Sequence, residues 1–275
     1  MLRVLAFAVA AVCVTSADVV AQEFSVYTKV FDLDAKAANQ AVAPIAFSRT
    51  LFHAGKVYDL IHEASEVTIL EPTHRRILVL NSDRNVMSSV DFDELKHLLR
   101  SAEERIAQRI RELEAQSNPP RQQIETLRFQ LRPTFETEFD AGKQRLRLLS
   151  KSVSYDVVGK ISDRPEAVES YLNYADWMCR LNYVLHPQPL FPNVRLELNE
   201  GLRQRKLLPV EVTLRAKFDR PLNLKAEHSM AWTLDSLDRQ SIGKWESLLR
   251  DPKLKKVSLS EYQRIALGQQ TAKVK

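Results

Sequence analysis

The chain has 275 residues, 44% of them hydrophobic, with 40 basic against 35 acidic side chains for a formal net charge of +5. Two cysteines in a chain long enough to bury a large core exclude a disulfide-dependent fold. The basic excess is small and interleaved with acid, which argues against a nucleic-acid partner, since such proteins usually gather the excess on one face.

The first residues, MLRVLAFAVAAVCVTSADVVAQEF, place Arg3 and the amino terminus ahead of an apolar run from Val4 to Val14, followed by small and polar residues. This is the order of a secretory signal, so residues 1–21 are expected to be a signal peptide cut after Ala21, and residues 22–275 a single α+β domain. The run is shorter than the roughly 20 residues that span a bilayer, and charges interrupt every later apolar run. An exported protein, periplasmic or secreted, with no transmembrane segment in the mature chain is the expectation. Acylation at Cys13 is disfavoured, because Val12 stands where a small residue is wanted. Cys179, in YADWMCRLNY, reads as a buried, inert thiol.

Period-two patterns follow the leader. Phe24, Val26 and Val30 alternate with polar residues, as do Ile45, Phe47 and Leu51. KVYDLI, EVTIL and RRILVL come next, separated by HEAS and EPTH, whose length and chemistry suit hairpin loops. The period then changes: Phe92, Leu95, Leu99, Ala102, Ile106 and Ile110 lie at steps of three and four. An amphipathic helix opening at Asp91 is expected, ending before Pro119-Pro120. Residues 117–121 are the one candidate sub-boundary within the domain.

Leu127, Phe129 and Leu131 read as a strand, followed by strands in TFETEF, RLRLLS and SVSYDVV. A helix is expected from about Pro165 to Leu185 and a shorter one between prolines in PLFPNVRLELNEGLRQRKLLP. PVEVTLRA restores alternation. The clearest strand places Leu222, Leu224, Ala226, His228 and Met230 on one face, and the same alternation continues through Trp232 to Leu234. Short helices close the chain, with Ser258 and Glu261 spaced as a cap. The expected fold class is α+β: a large, curved, mostly antiparallel sheet of about ten strands, half-barrel-like, with helices packed on its open side.

HEASE, at His62 to Glu66, is one residue from H-E-x-x-H, in which a helix sets two imidazoles one turn apart for zinc. Glu66 replaces the second His and the flanks are strand-like, so no metal is expected there. His53 and His74 could approach His62 in a meander, His97 sits on a solvated helix, and His228 lies on an apolar strand face. Asp32 and Asp34 mark a solvated strand end. The 6 glycines form no phosphate-binding loop and no nucleophile elbow, and no cofactor is expected. Tyr171, Tyr174, Trp177 and Tyr183 form an aromatic stripe at near-helical steps, which packs a core or, over an incompletely filled sheet, lines a cavity.

The segments LFHAGKVYDLIHEASEVTILEPTHRRILVLN and FETEFDAGKQRLRLLSKSVSYDVVGK, in the order meander, crossing helix, meander, resemble the periplasmic lipoprotein-carrier superfamily, whose curved half-barrel holds acyl chains under a helical lid. FHAGKVYDLI, VTILEPTHRRILVLN and YADWMCRLNYVLHPQPLFPNVRLELN look more specifically like an uncharacterised group of secreted bacterial proteins. What the resemblance implies is a non-enzymatic envelope protein that binds an apolar small molecule or lipid in the hollow of its sheet. The candidate ligand-binding residues are Phe129, Phe135, Phe139, Trp177, Met230 and Trp232. The alternatives are an envelope hydrolase centred on His62, Glu63, His74 or His228, and a structural protein whose Leu95 to Leu113 helix meets an envelope protein partner.

Overall fold

The structure, a computed structural model, describes residues 23–35, 43–186, 190–218 and 221–265. The expected signal peptide, with Cys13, lies outside the described residues. Among the described residues no helix is long and apolar enough to cross a membrane.

Strands β1 (Phe24–Asp32), β2 (Ala46–His53), β3 (Lys56–Ile61), β4 (Glu66–Glu71), β5 (Arg76–Asn81) and β6 (Val86–Asp91) form an antiparallel meander, each pairing with the next. HEAS and EPTH close as single 3-10 turns, each ended by a left-handed residue, Ser65 at φ 50° and Arg75 at φ 52°. β6 escaped the alternation because Ser88 and Ser89 sit at its centre; pairing with β5, not local pattern, makes it a strand.

Helix α1 (Phe92–Glu114) runs where its period placed it. Asp91 occupies the N-cap, although its side chain accepts no capping bond. The apolar stripe is spent on the protein itself, with Leu95, Leu99, Ala102, Ile110 and Leu113 all buried. Residues 127–131, expected as a strand, form the end of helix α2 (Arg121–Leu131). Its apolar residues fit both periods, and the tertiary partner decides: Ile124, Leu127 and Leu131, at steps of three and four, meet Ile110 and Leu113 of α1.

The second meander holds β7 (Glu136–Asp140), β8 (Arg145–Leu149) and β9 (Val153–Ile161), then, after helices α3 (Pro165–Leu185) and α4 (Pro192–Gln204), β10 (Leu207–Ala216) and β11 (Leu222–Ala231). β11 pairs with β1, so both meanders join in one open, curved sheet. Strands from both sides of residues 117–121 therefore share it. Helix α5 (Ser236–Leu249) follows, and the short β12 (Lys255–Lys256), parallel to β6, brings the sheet to 12 strands among the described residues. A helical stretch follows at 259–265, where Glu261 N donates to Ser258 Oγ at 3.2 Å, the cap expected from sequence.

The two faces of the sheet have different covers. On the inner face, Phe24, Phe52, Val57, Leu70 and Ile77 stand in one cross-strand row under the main core, which includes residues of α1, α3 and α4. On the reverse face, Tyr58, Ile69 and Leu78 pack under α5 through Ile242 and Trp245. Asp235 and Asp238 form a reciprocal capping box at the start of α5, and Arg49 of β2 pairs with both carboxylates at 2.9 and 2.6 Å. Leu234, expected to share the face of Met230, has crossed beyond the end of β11 into this reverse core.

Candidate functional site

The inner face is apolar at one end and polar along its middle. Beside the row of Phe24 lies a second row, Met230, Val26, Thr50, Asp59 and Thr68, and beside that a third, His228, Thr28, Ser48, Ile61 and Glu66. Asp59 arises from plain alternation: Val57, Asp59 and Ile61 point inward while Tyr58 and Leu60 point to α5. A carboxyl thus sits 8% exposed on the inner face.

Above this floor run α3 and α4, and between helices and sheet lie two adjoining cavities. One, of about 370 Å³, is bounded by Thr28, Ser48, Asp59 and His228 below and by Tyr171 and Tyr174 above. The other, of about 270 Å³, is bounded by Leu190, Phe191, Val212, Leu214 and Leu224. Val30, Cys179, Asn182 and Arg195 line both and so mark the junction. The first volume lies at the lower end of the range for small-molecule sites and the second just below it.

Arg195 is the cation of the cleft. Its Nε donates to Asn199 Oδ1 at 3.0 Å, and among the described residues it forms no ion pair. Asn199 is fully buried and in turn donates from Nδ2 to Asp176 Oδ1 at 2.7 Å, while Asp176 is held by Arg203 at 2.9 Å. This chain fixes the Arg195 stem and leaves its terminal nitrogens to the cavity. The positive charge is felt by four neighbours: it opposes protonation of His228 and favours ionisation of Tyr155, Tyr171 and Cys179.

The groups around it are otherwise neutral. Burial, with Arg195 adding to it, lowers the His228 pKa to about 4, and its Nδ1 lies 2.9 Å from Thr28 Oγ1. Burial pushes the Cys179 thiol up to about 11 and raises Tyr171 above the usual phenol range. Tyr171 is only 4% exposed, and its hydroxyl makes no hydrogen bond to a described residue. Lining the cavity, the phenol is open to a partner from within it.

Asp59 is different, because it is held. Thr50 Oγ1 donates to it at 2.7 Å and Tyr174 donates a second bond, yet burial outweighs both and raises its pKa. A folded pKa above the unfolded value near 3.9 means a contribution to stability that is full at lower pH and is lost as pH rises through the folded value. Asp59→Asn is therefore expected to be more stable than the parent at pH 7 and to lose that advantage towards pH 4, as measured by urea unfolding across that range. An unchanged difference at every pH would refute the raised pKa.

The residues singled out in sequence are dispersed by the fold. Phe129 and Phe135 meet edge to face at 5.3 Å, and Phe135 lies 6.3 Å from Tyr155. Phe139 is 39% exposed on the outermost strand β7, with Arg205 over its ring. Trp177 stacks on Phe92 at 3.6 Å, away from the sheet floor. Met230 packs beside Val26, and Trp232 lies 5.8 Å from Phe24 with Arg164 over its ring. None of the six lines either cavity.

Among the histidines, His62 is exposed on its turn, and the side chain of Glu63 lies outside the described residues. His53 bonds Glu23 at 2.7 Å and His74 stands 3.6 Å from Glu71, both at the opposite end of β3 from His62. The three do not converge, and no group of three metal-ligating side chains occurs among the described residues. His97 is exposed on α1. Asp32 accepts from Asp34 N at 3.0 Å, a turn at a strand end. His186 lies 3.2 Å from Glu66 at the end of the third row, and of the histidines among the described residues only His228 lines either cavity.

Sequence reasoning passed over Asp59, Asn182 and Arg195, and took Tyr171 and Tyr174 only as part of a stripe. One signal was there to be used: a lone acid in the inward register of KVYDLI. The comparisons add no relative to this picture, since no protein-family model matches the chain and the search of curated proteins returns no similar sequence, so the cleft is interpreted from its own residues.

Proposed function

We propose that the protein is an exported, non-enzymatic binding module for an amphipathic anion, held between the hollow face of the sheet and helices α3 and α4. The observation that carries this reading is Arg195: a half-buried guanidinium, oriented by Asn199, faces two cavities without a carboxylate partner among the described residues. Such a group is a receptor for carboxylate or phosphate oxygens. The apolar wall of Leu190, Leu214 and Leu224 suits a hydrocarbon chain attached to that anion. Export rests on the charge-apolar-small order of residues 1–21.

The spread of ionisable groups supports binding over catalysis. Asp59 on β3 and His228 on β11 are three strand spacings apart, about 14 Å, too far to act on one bond.

Titration with dodecyl phosphate tests the reading. Saturable binding of one molecule per chain is expected, together with slower alkylation of Cys179 by N-ethylmaleimide, because the thiol lines both cavities. Absence of binding, or binding that leaves the Cys179 rate unchanged, would overturn it.

A further inference from the structure

Arg195 stands where two cavities meet, both largely apolar but only one of them with hydrogen-bonding side chains along its floor. On one side the walls are Leu190, Val212, Leu214, Leu224 and Ala226, which offer a ligand only hydrocarbon. On the other, Thr28, Ser48, Asp59, Tyr171 and His228 offer hydrogen-bonding groups, and the Tyr171 hydroxyl has no partner among the described residues. An anion at this junction is internal to any ligand that fills both spaces.

That position restricts the chemistry. A carboxylate or a phosphate monoester ends at its charge, and a sulfate bearing two ester substituents is neutral. A phosphodiester keeps one negative charge while carrying a substituent on each side. Resting on the anionic-amphipath reading, we infer that the ligand class is a single-chain phosphodiester lipid whose chain lies in the apolar cavity and whose hydroxyl-bearing head lies over the polar floor. The head hydroxyls then donate to Ser48 and accept from Tyr171, neither of which has a side-chain hydrogen bond to another described residue.

The experiment compares lauroyl lysophosphatidylglycerol, a diester with a glycerol head, with lauroyl lysophosphatidic acid, the monoester with the same chain and greater charge. The diester is expected to bind about tenfold more tightly despite its lower charge, the worth of one or two net hydrogen bonds. Tyr171→Phe with Ser48→Ala, which removes the donor and the acceptor assigned to the head, is expected to bring the ratio near one by weakening the diester, with circular dichroism confirming the fold. Equal binding by the parent protein, or a ratio that survives the double substitution, overturns the diester inference and leaves the anionic reading standing. Failure of both lipids to bind overturns the anionic reading itself.

Discussion

Replacing Arg195 with glutamine is expected to weaken dodecyl phosphate binding about 10- to 100-fold, the range for losing charge-assisted hydrogen bonds to a buried anion. Folding stability should change little, because Arg195 has no ion pair to lose among the described residues and its one bond, to Asn199, can be kept by the glutamine amide. A second readout separates loss of charge from loss of shape. Arg195 helps to hold the His228 pKa near 4, so the substitution should move it upward, with burial still keeping it below 6.5. Nuclear magnetic resonance titration of the imidazole and calorimetry on the same variant check both. Unaltered affinity with a shifted His228 would mean that the cation faces the cavity without serving the ligand.

Phe24→Ala is expected to cost about 4 kcal/mol, typical of truncating a buried aromatic. Phe24 is fully buried on β1, stacks on Phe52 at 3.9 Å and lies 5.8 Å from Trp232. It therefore joins the first meander to the residues that follow β11. For a chain of this size the loss corresponds to roughly 8–16 °C in melting temperature. Ser229→Ala, on the exposed register of β11, should stay within about 0.5 kcal/mol. Guanidinium unfolding of both variants measures the contrast, and equal effects would show that the junction is not stabilised by its inner face.

The parts of the fold that were legible are those determined locally. β3, β4 and β5 alternate cleanly and are tied by short polar turns, so their register follows from neighbours in sequence. α1 declared itself by a long period and two prolines. α2 and β6 did not, for opposite reasons: Leu127 and Leu131 fit either period, whereas Ser88 and Ser89 hide a strand that only its partner defines. The fold class, a curved antiparallel sheet with helices over it, survived both errors because neither changes the layers. The site was less legible because its groups come from β3, β11, α3 and α4, and none belongs to a motif. His228 was noticed as a polar residue on an apolar face; Arg195 looks like any surface arginine on an amphipathic helix until Asn199 and Asp176 are seen to aim it.

The pairing of β1 with β11 also sets the order in which the molecule can be completed. Register partners such as Thr28 and His228 are separated by 200 residues, so their meeting carries a large loop-closure cost that no local contact offsets beforehand. Each meander can zip from its own hairpins, but β1 presents a bare edge until nearly the whole chain has emerged. The cleft floor, which straddles that seam, is therefore among the last features to exist. A chain that acquires its binding site only on closure remains pliable until then, and ligand held across β1 and β11 would act as a clasp on the finished sheet.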